Sequence, residues 1–274
     1  MSIRRVSRVV ISLLALLVLL YVLLCISLLL FQRSFIYFPQ PRAVNEPGSL
    51  LRLPVADAEV LVTVRPHPGP NALIYFGGNG EDVSRNLPVF SKAFPDQALY
   101  LLHYRGYGGS SGEPSEATIR RDALALFDRV HDEHPCTTVV GRSLGSGVAI
   151  RLATQRPVAR LVLVTPYNSI EELAQRKFPF VPVKWLLQDK FESWRYAPQI
   201  TVPTLLIAAA DDQVVPRSSS EMLLSRFPKS VAALELIPAV GHNSVSESPE
   251  YLRLIKGALC KGQGLAPSIP DPLP

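Results

Sequence analysis

Ser143 stands in Gly141-Arg142-Ser143-Leu144-Gly145, between a β-branched run at 137–140 and a helical run at 146–153. A G-x-S-x-G segment at a strand-to-helix junction lifts a serine hydroxyl clear of a sheet. Its glycines are needed because strand and helix backbones meet too closely there for a Cβ. A serine hydroxyl is a poor nucleophile near neutral pH and needs a base to take its proton. One histidine follows Ser143: His242, in Pro238-Ala239-Val240-Gly241-His242-Asn243. The imidazole in turn needs a carboxylate to fix its tautomer. The apolar run 203–210 leads straight into Asp211-Asp212, and by position either aspartate serves. The order serine, acid, histidine predicts nucleophilic catalysis at an acyl carbon.

A tetrahedral intermediate also needs preorganised donors for its oxyanion, commonly two backbone amides. The Leu144 amide, next to the nucleophile, is the first candidate. The second is the Asn79 amide in Gly77-Gly78-Asn79-Gly80, a loop that lets the backbone approach a ligand closely. His131-Asp132-Glu133-His134 lacks a third ligand cluster and reads as a solvated helix end. His67 and His103 precede the serine and receive no catalytic role. Gly106, Gly108 and Gly109 do not complete G-x-G-x-x-G, and no lysine-bearing phosphate loop occurs, so neither cofactor nor metal is predicted.

Strands at 71–76, 98–104, 137–140, 160–164, 203–209 and 231–237 position these residues. They alternate with helices at 84–93, 115–133, 146–153, 218–227 and 251–259. Such alternation predicts an α/β fold: a mostly parallel sheet with helices on both faces and ligands beyond the carboxyl ends of the strands. Residues 166–200 break the pattern with Phe178, Phe180, Trp185, Leu186, Leu187 and Phe191. They read as a small helical cap inserted over the site.

The 274-residue chain has a formal net charge of +5. Residues 9–31 carry no charge and, at ~1.5 Å per residue, are long enough to cross a ~30 Å hydrocarbon core. They read as a transmembrane signal anchor, since no small-residue cleavage site follows them. The basic segment 1–8, with Arg4, Arg5 and Arg8, predicts a cytoplasmic N-terminus. The domain at 32–261 then lies across the membrane, on the periplasmic side of the inner membrane if the source is bacterial. Residues 262–274 read as a disordered proline-rich tail. Cys136 and Cys260 read as two unpaired small hydrophobes. No basic run is interleaved with aromatics, which argues against nucleic acid as a partner.

Through Tyr75-Phe76-Gly77-Gly78-Asn79-Gly80, Tyr104-Arg105-Gly106-Tyr107-Gly108, the Ser143 segment and Gly241-His242-Asn243, the chain resembles the α/β-hydrolase superfamily. More narrowly, it is similar to membrane-anchored α/β-hydrolase domain-containing proteins. The resemblance implies a Ser143–Asp212–His242 triad, because Asp212-Gln213-Val214-Val215-Pro216 matches the turn that follows the acid. It also implies an oxyanion hole from the Asn79 and Leu144 amides. The chain departs from the pattern at Gly77, where relatives often have histidine, and at Ala209, where they tend to have glycine. The implied activity is that of a membrane-anchored serine hydrolase, carboxylesterase- or thioesterase-like, with an amide bond as a further possible target. Its substrate would be a small, partly apolar acyl compound, and its other partner the lipid bilayer around 9–31. The alternatives are a non-catalytic binding or scaffold protein on the same fold and a serine peptidase for small peptides.

Overall fold

The structure is a computed structural model that describes residues 3–262; apart from Gly262, the tail expected at 262–274 lies outside the described residues. In chain order the helices are α1 (Ile3–Ile36), α2 (Asn86–Ala93), α3 (Glu116–His131), α4 (Leu144–Ala153), α5 (Ile170–Lys177), α6 (Val183–Leu186), α7 (Ser193–Tyr196), α8 (Arg217–Leu224) and α9 (Pro249–Ala258). The strands are β1 (Leu50–Val55), β2 (Ala58–Arg65), β3 (Asn71–Phe76), β4 (Ala98–Leu102), β5 (Cys136–Arg142), β6 (Arg160–Val164), β7 (Thr204–Ala209) and β8 (Ala232–Ile237).

The strands form one sheet in the order β1-β2-β4-β3-β5-β6-β7-β8. From β4 to β8 across the sheet every neighbour is parallel, whereas β1 and β2 add an antiparallel hairpin at the β4 edge. Central strands covered on both faces read as near-continuous apolar runs, and the alternation along them decides which layer each side chain joins. Ile74 and Phe76 of β3 pack into one layer with Ile119, Phe127, Val148 and Leu223 from α3, α4 and α8. Leu73 and Tyr75 pack into the other, with Leu87, Phe90, Tyr251 and Ile255 from α2 and α9. This is the α/β-hydrolase fold, and it carries β3, β5, β7 and β8 to a common edge where their following loops meet.

Helix α1 runs beyond the apolar stretch at both ends and exposes its leucines and valines along most of its length. It is long and apolar enough to cross a membrane. Two expectations are corrected. Cys136 and Cys260 are joined in a disulfide with Cα atoms 5.7 Å apart, rather than unpaired. The Cys260 N–H donates to Thr138 Oγ1 at 2.8 Å, which lays the end of α9 against β5; their separation of 124 residues hid this closeness in the sequence. His134 is buried, not solvated. Its ring bridges the Tyr100 hydroxyl at 3.2 Å and the Gly69 carbonyl at 2.7 Å, and no cluster suited to a metal ion occurs among the described residues.

Candidate active site

Strand β5 ends in Arg142, and Ser143 makes the turn into α4 with φ 49° and ψ −117°. A non-glycine residue in such a conformation costs ~1–3 kcal/mol and persists only where its surroundings hold it. Here the Ser143 N–H donates to the Val164 carbonyl at 2.8 Å. The flanking glycines are required for contact reasons: a Cβ on Gly141 would strike the Gly145 carbonyl, and one on Gly145 would strike the Phe76 carbonyl. The turn therefore fits only where β3, β5 and α4 meet.

His242 follows β8, and its Nε2 lies 2.9 Å from Ser143 Oγ. Its Nδ1 lies 2.7 Å from Asp212 Oδ2. Asp212, in the turn after β7, is the better placed of the two aspartates. Its side chain is 2% exposed, and its other oxygen accepts the Val214 and Val215 N–H groups at 2.8 and 2.7 Å. An aspartate that collects backbone donors two and three residues on has its carboxylate oriented by its own turn. Asp211 is exposed, and its N–H donates to the Val240 carbonyl at 3.0 Å, which ties the acid turn to the histidine loop.

The loop after β3 closes the other side. The Gly78 N–H is taken by Glu81 Oε2 at 2.7 Å. The Asn79 side chain donates to the Ile36 carbonyl at 2.8 Å, and the Asn79 carbonyl accepts from the Phe38 N–H at 2.9 Å and the Tyr107 hydroxyl at 2.6 Å. With those groups fixed, the Asn79 N–H finds no acceptor among the described residues. Leu144 opens α4, so its N–H is one of the helix's unpaired first-turn donors.

Two residues that sequence reasoning passed over join these loops. Glu81 accepts from the Tyr75 hydroxyl at 2.9 Å and the Asn86 amide at 2.7 Å, besides Gly78. Arg142 pairs with it at 3.2 Å and donates from Nη2 to the carbonyls of His242 at 3.3 Å and Asn243 at 3.4 Å. Burial pushes the Tyr75 hydroxyl well above its usual pKa, so it remains a donor to Glu81. An acid just past the glycine-rich turn, paired with an arginine just before the serine, was the available signal.

Ser143 opens onto a cleft of about 520 Å³ whose walls include Gln40, Asn79, Arg85, Asn86, Arg142 and Asn243. Most of its lining residues are polar, but the surface they expose divides evenly between polar and apolar atoms, which leaves room for the partly apolar substrate the sequence pointed to. No residue of 166–200 lines the cleft. That segment packs on α4 and along α1 instead: its exposed aromatics Phe180 and Trp185 take no part in the cleft, while buried Tyr167 supports the nucleophile turn from behind, its hydroxyl donating to the Leu144 carbonyl at 3.1 Å.

No family model matches the chain. An uncharacterized protein of Mycobacterium tuberculosis is 33% identical over 239 residues, spanning 81% of this chain and 82% of that protein. An α/β-hydrolase domain-containing protein of Caenorhabditis elegans is 30% identical over 200 residues, or 70% of this chain and 59% of that protein. An esterase from Pyrococcus furiosus superposes with a TM-score of 0.62 at 17% identity, covering 81% of this chain and 96% of the other. The chain is one of the α/β-hydrolase fold proteins. Its relatives there include α/β-hydrolase domain-containing proteins, and its structural neighbours include esterases and lipases.

Proposed function

We propose that this chain is a membrane-anchored serine hydrolase that cleaves an ester or thioester bond through an acyl-enzyme. The observation that carries this reading is the chain of contacts from Ser143 Oγ to His242 Nε2 at 2.9 Å and from His242 Nδ1 to Asp212 at 2.7 Å. His242 takes the hydroxyl proton as Ser143 Oγ attacks the acyl carbon, and Asp212 holds the imidazole in the tautomer that can accept it. Charge on the carbonyl oxygen is met by the Asn79 and Leu144 N–H groups, fixed before substrate arrives. His242 then passes the proton to the leaving alcohol or thiol. A water attacking the acyl-enzyme by the reverse steps releases the acid and restores Ser143. The esterase among the structural neighbours supports the ester as the bond to test first. The even mix of polar and apolar surface in the cleft suits a compact acyl substrate with an apolar portion.

We place the domain outside the cytoplasm on two grounds. Arg4, Arg5 and Arg8 lie in the first turns of α1, ahead of the charge-free run 9–31, and such positive charge stays on the cytoplasmic side. The Cys136–Cys260 disulfide suits an oxidising compartment. A reporter fused to the C-terminus of the chain reads this orientation. For the chemistry, Ser143→Ala is expected to lower p-nitrophenyl ester hydrolysis by more than ~10³-fold and to abolish labelling by a fluorophosphonate. Wild-type turnover in that variant would overturn the assignment. Acyl esters and acyl thioesters of one acid, assayed side by side, decide the leaving group.

A further inference from the structure

Beside α1, the segment between α5 and the end of α6 shows its largest apolar side chains to the outside: Phe180 is 88% exposed and Trp185 is 82% exposed. The segment is fastened to α1 at two heights. The Tyr21 hydroxyl donates to the Phe180 carbonyl at 2.8 Å. Further along the helix, Gln32 Nε2 donates to the Leu186 carbonyl at 3.1 Å and Gln32 Oε1 accepts the Gln188 N–H at 2.6 Å. Tyr21 and Gln32 lie on one helical face with the half-buried Cys25, Leu28 and Leu29, as the three- and four-residue spacings require. Tyr21 is ten residues inside the end of the charge-free run, a distance of ~15 Å along the axis. Phe180 is therefore held alongside the part of α1 that is itself suited to lipid.

Among the described residues the segment's backbone is mostly paired as the same surroundings require, the Phe180 and Lys184 N–H groups excepted. Unpaired peptide groups are costly in hydrocarbon. Pro179 and Pro182 have no N–H, and the N–H groups of Phe178, Val181, Val183, Trp185, Leu186 and Leu187 all bond within the chain nearby. The Phe180 and Leu186 carbonyls are taken by Tyr21 and Gln32. Trp185 stands near the height of Gln32, just past the apolar run, where tryptophan favours the membrane–water boundary. The exposed Lys184 next to it in the chain can reach headgroups while its stem lies on apolar surface.

We propose that residues 178–187 form a second membrane contact, seated in the leaflet that faces the hydrolase domain, with Phe180 below the headgroups and Trp185 at their level. The occupant of this apolar surface is the bilayer that surrounds α1, and the proposal rests on α1 lying in that bilayer. Two contacts along one helix fix the domain's tilt. They also hold the cleft close to the membrane, because the Asn79 loop is bonded to Ile36, the last residue of α1, and to Phe38 just beyond it.

Tryptophan emission tests this on the full chain, which has two tryptophans. Trp194→Phe leaves Trp185 as the reporter, and Trp185→Phe leaves Trp194. Each variant is reconstituted in phosphatidylcholine vesicles with bromine at defined acyl positions, and alkaline carbonate extraction is run alongside. Trp185 is expected to lose at least half its emission to bromines near the headgroup and little to aqueous iodide, with Trp194 showing the reverse. Phe180→Trp, with both native tryptophans changed to Phe, should be quenched best by bromines deeper in the chain. Phe180→Glu in the Trp185 reporter should cut bromine quenching at least twofold while extraction is unchanged. If carbonate leaves the chain in the membrane but iodide reaches Trp185, the contact is overturned and the anchor stands. Release of the chain by carbonate overturns both. Protection from iodide without bromine quenching means that a second copy or another protein covers the patch, which also overturns the proposal.

Discussion

On one side of Ser143, His242 depends on a short run of side-chain contacts that ends at Asp212 and its own turn. On the other, the loop at 77–81 is fixed through its backbone and roped to the end of α1, to Tyr104, to Tyr107 and to Glu81. The base side concentrates its function in one carboxylate, so a single atom change there should be felt in full. The oxyanion side spreads its support over several partners, so each should matter less. Arg142 touches both loops.

The largest effect that would break this contrast is expected at the acid. Asp212→Asn should lower kcat by ~10³–10⁴-fold with little change in folding, because the wrong imidazole tautomer faces the serine. Asp211→Asn should stay within about threefold, and steady-state ester hydrolysis of the two variants compares them directly. A large loss in Asp211→Asn with none in Asp212→Asn would reverse the assignment.

Next comes Glu81. Glu81→Gln keeps the shape but leaves the Arg142 charge without its carboxylate in a half-buried place. It should reduce kcat by ~10–100-fold, since both loops shift together. A burst of acylation that slows in step with kcat would confirm that the chemical step is affected.

The two sides also differ in their response to acid. His103 lies behind the oxyanion side, bonded to Thr63 at 2.8 Å next to Tyr104. Burial pushes its pKa down to about 4, with Asp82 and Arg42 as the charged neighbours acting on it. The free imidazole has a pKa of ~6.5. A base depressed in the folded state stabilises fully above the unfolded value and loses that contribution as pH falls towards the folded one. Unfolding free energies from denaturant titration should therefore decline below about pH 6.5 by up to ~1.4 kcal/mol per unit, and His103→Asn should flatten much of that slope. On the oxyanion side a small effect is expected for Asn79→Ala, which cuts the bond to Ile36 but keeps the amide. A loss of ~3–10-fold in kcat/KM is expected, and a loss as large as that of Asp212→Asn would show that the two sides are not built differently.

The sequence was most readable where one local rule leaves little choice. The Ser143 turn needs glycine on both sides, and the β3, β5, β6 and β7 runs are apolar because both faces are covered. The hairpin of β1 and β2 was not read. Its strands sit at the sheet edge, and Arg52, Pro54 and Glu59 interrupt their apolar pattern, so periodicity is weak there. The aromatic residues at 178–185 were read as cover for the cleft because composition marks a residue as apolar without saying what it faces. Glu81 and Arg142 escaped for a related reason. They lie far apart in the chain, each looks like an ordinary surface charge, and only the meeting of β3 and β5 pairs them.

The bridge between Cys136 and Cys260 turns most of the second half of the chain into a covalent ring that holds Ser143, Asp212 and His242 together. One proteolytic cut inside that ring, for instance in the segment beside α1, separates no piece from the rest. The nicked protein should run as two fragments only after a thiol reductant is added, and should keep fluorophosphonate reactivity until then.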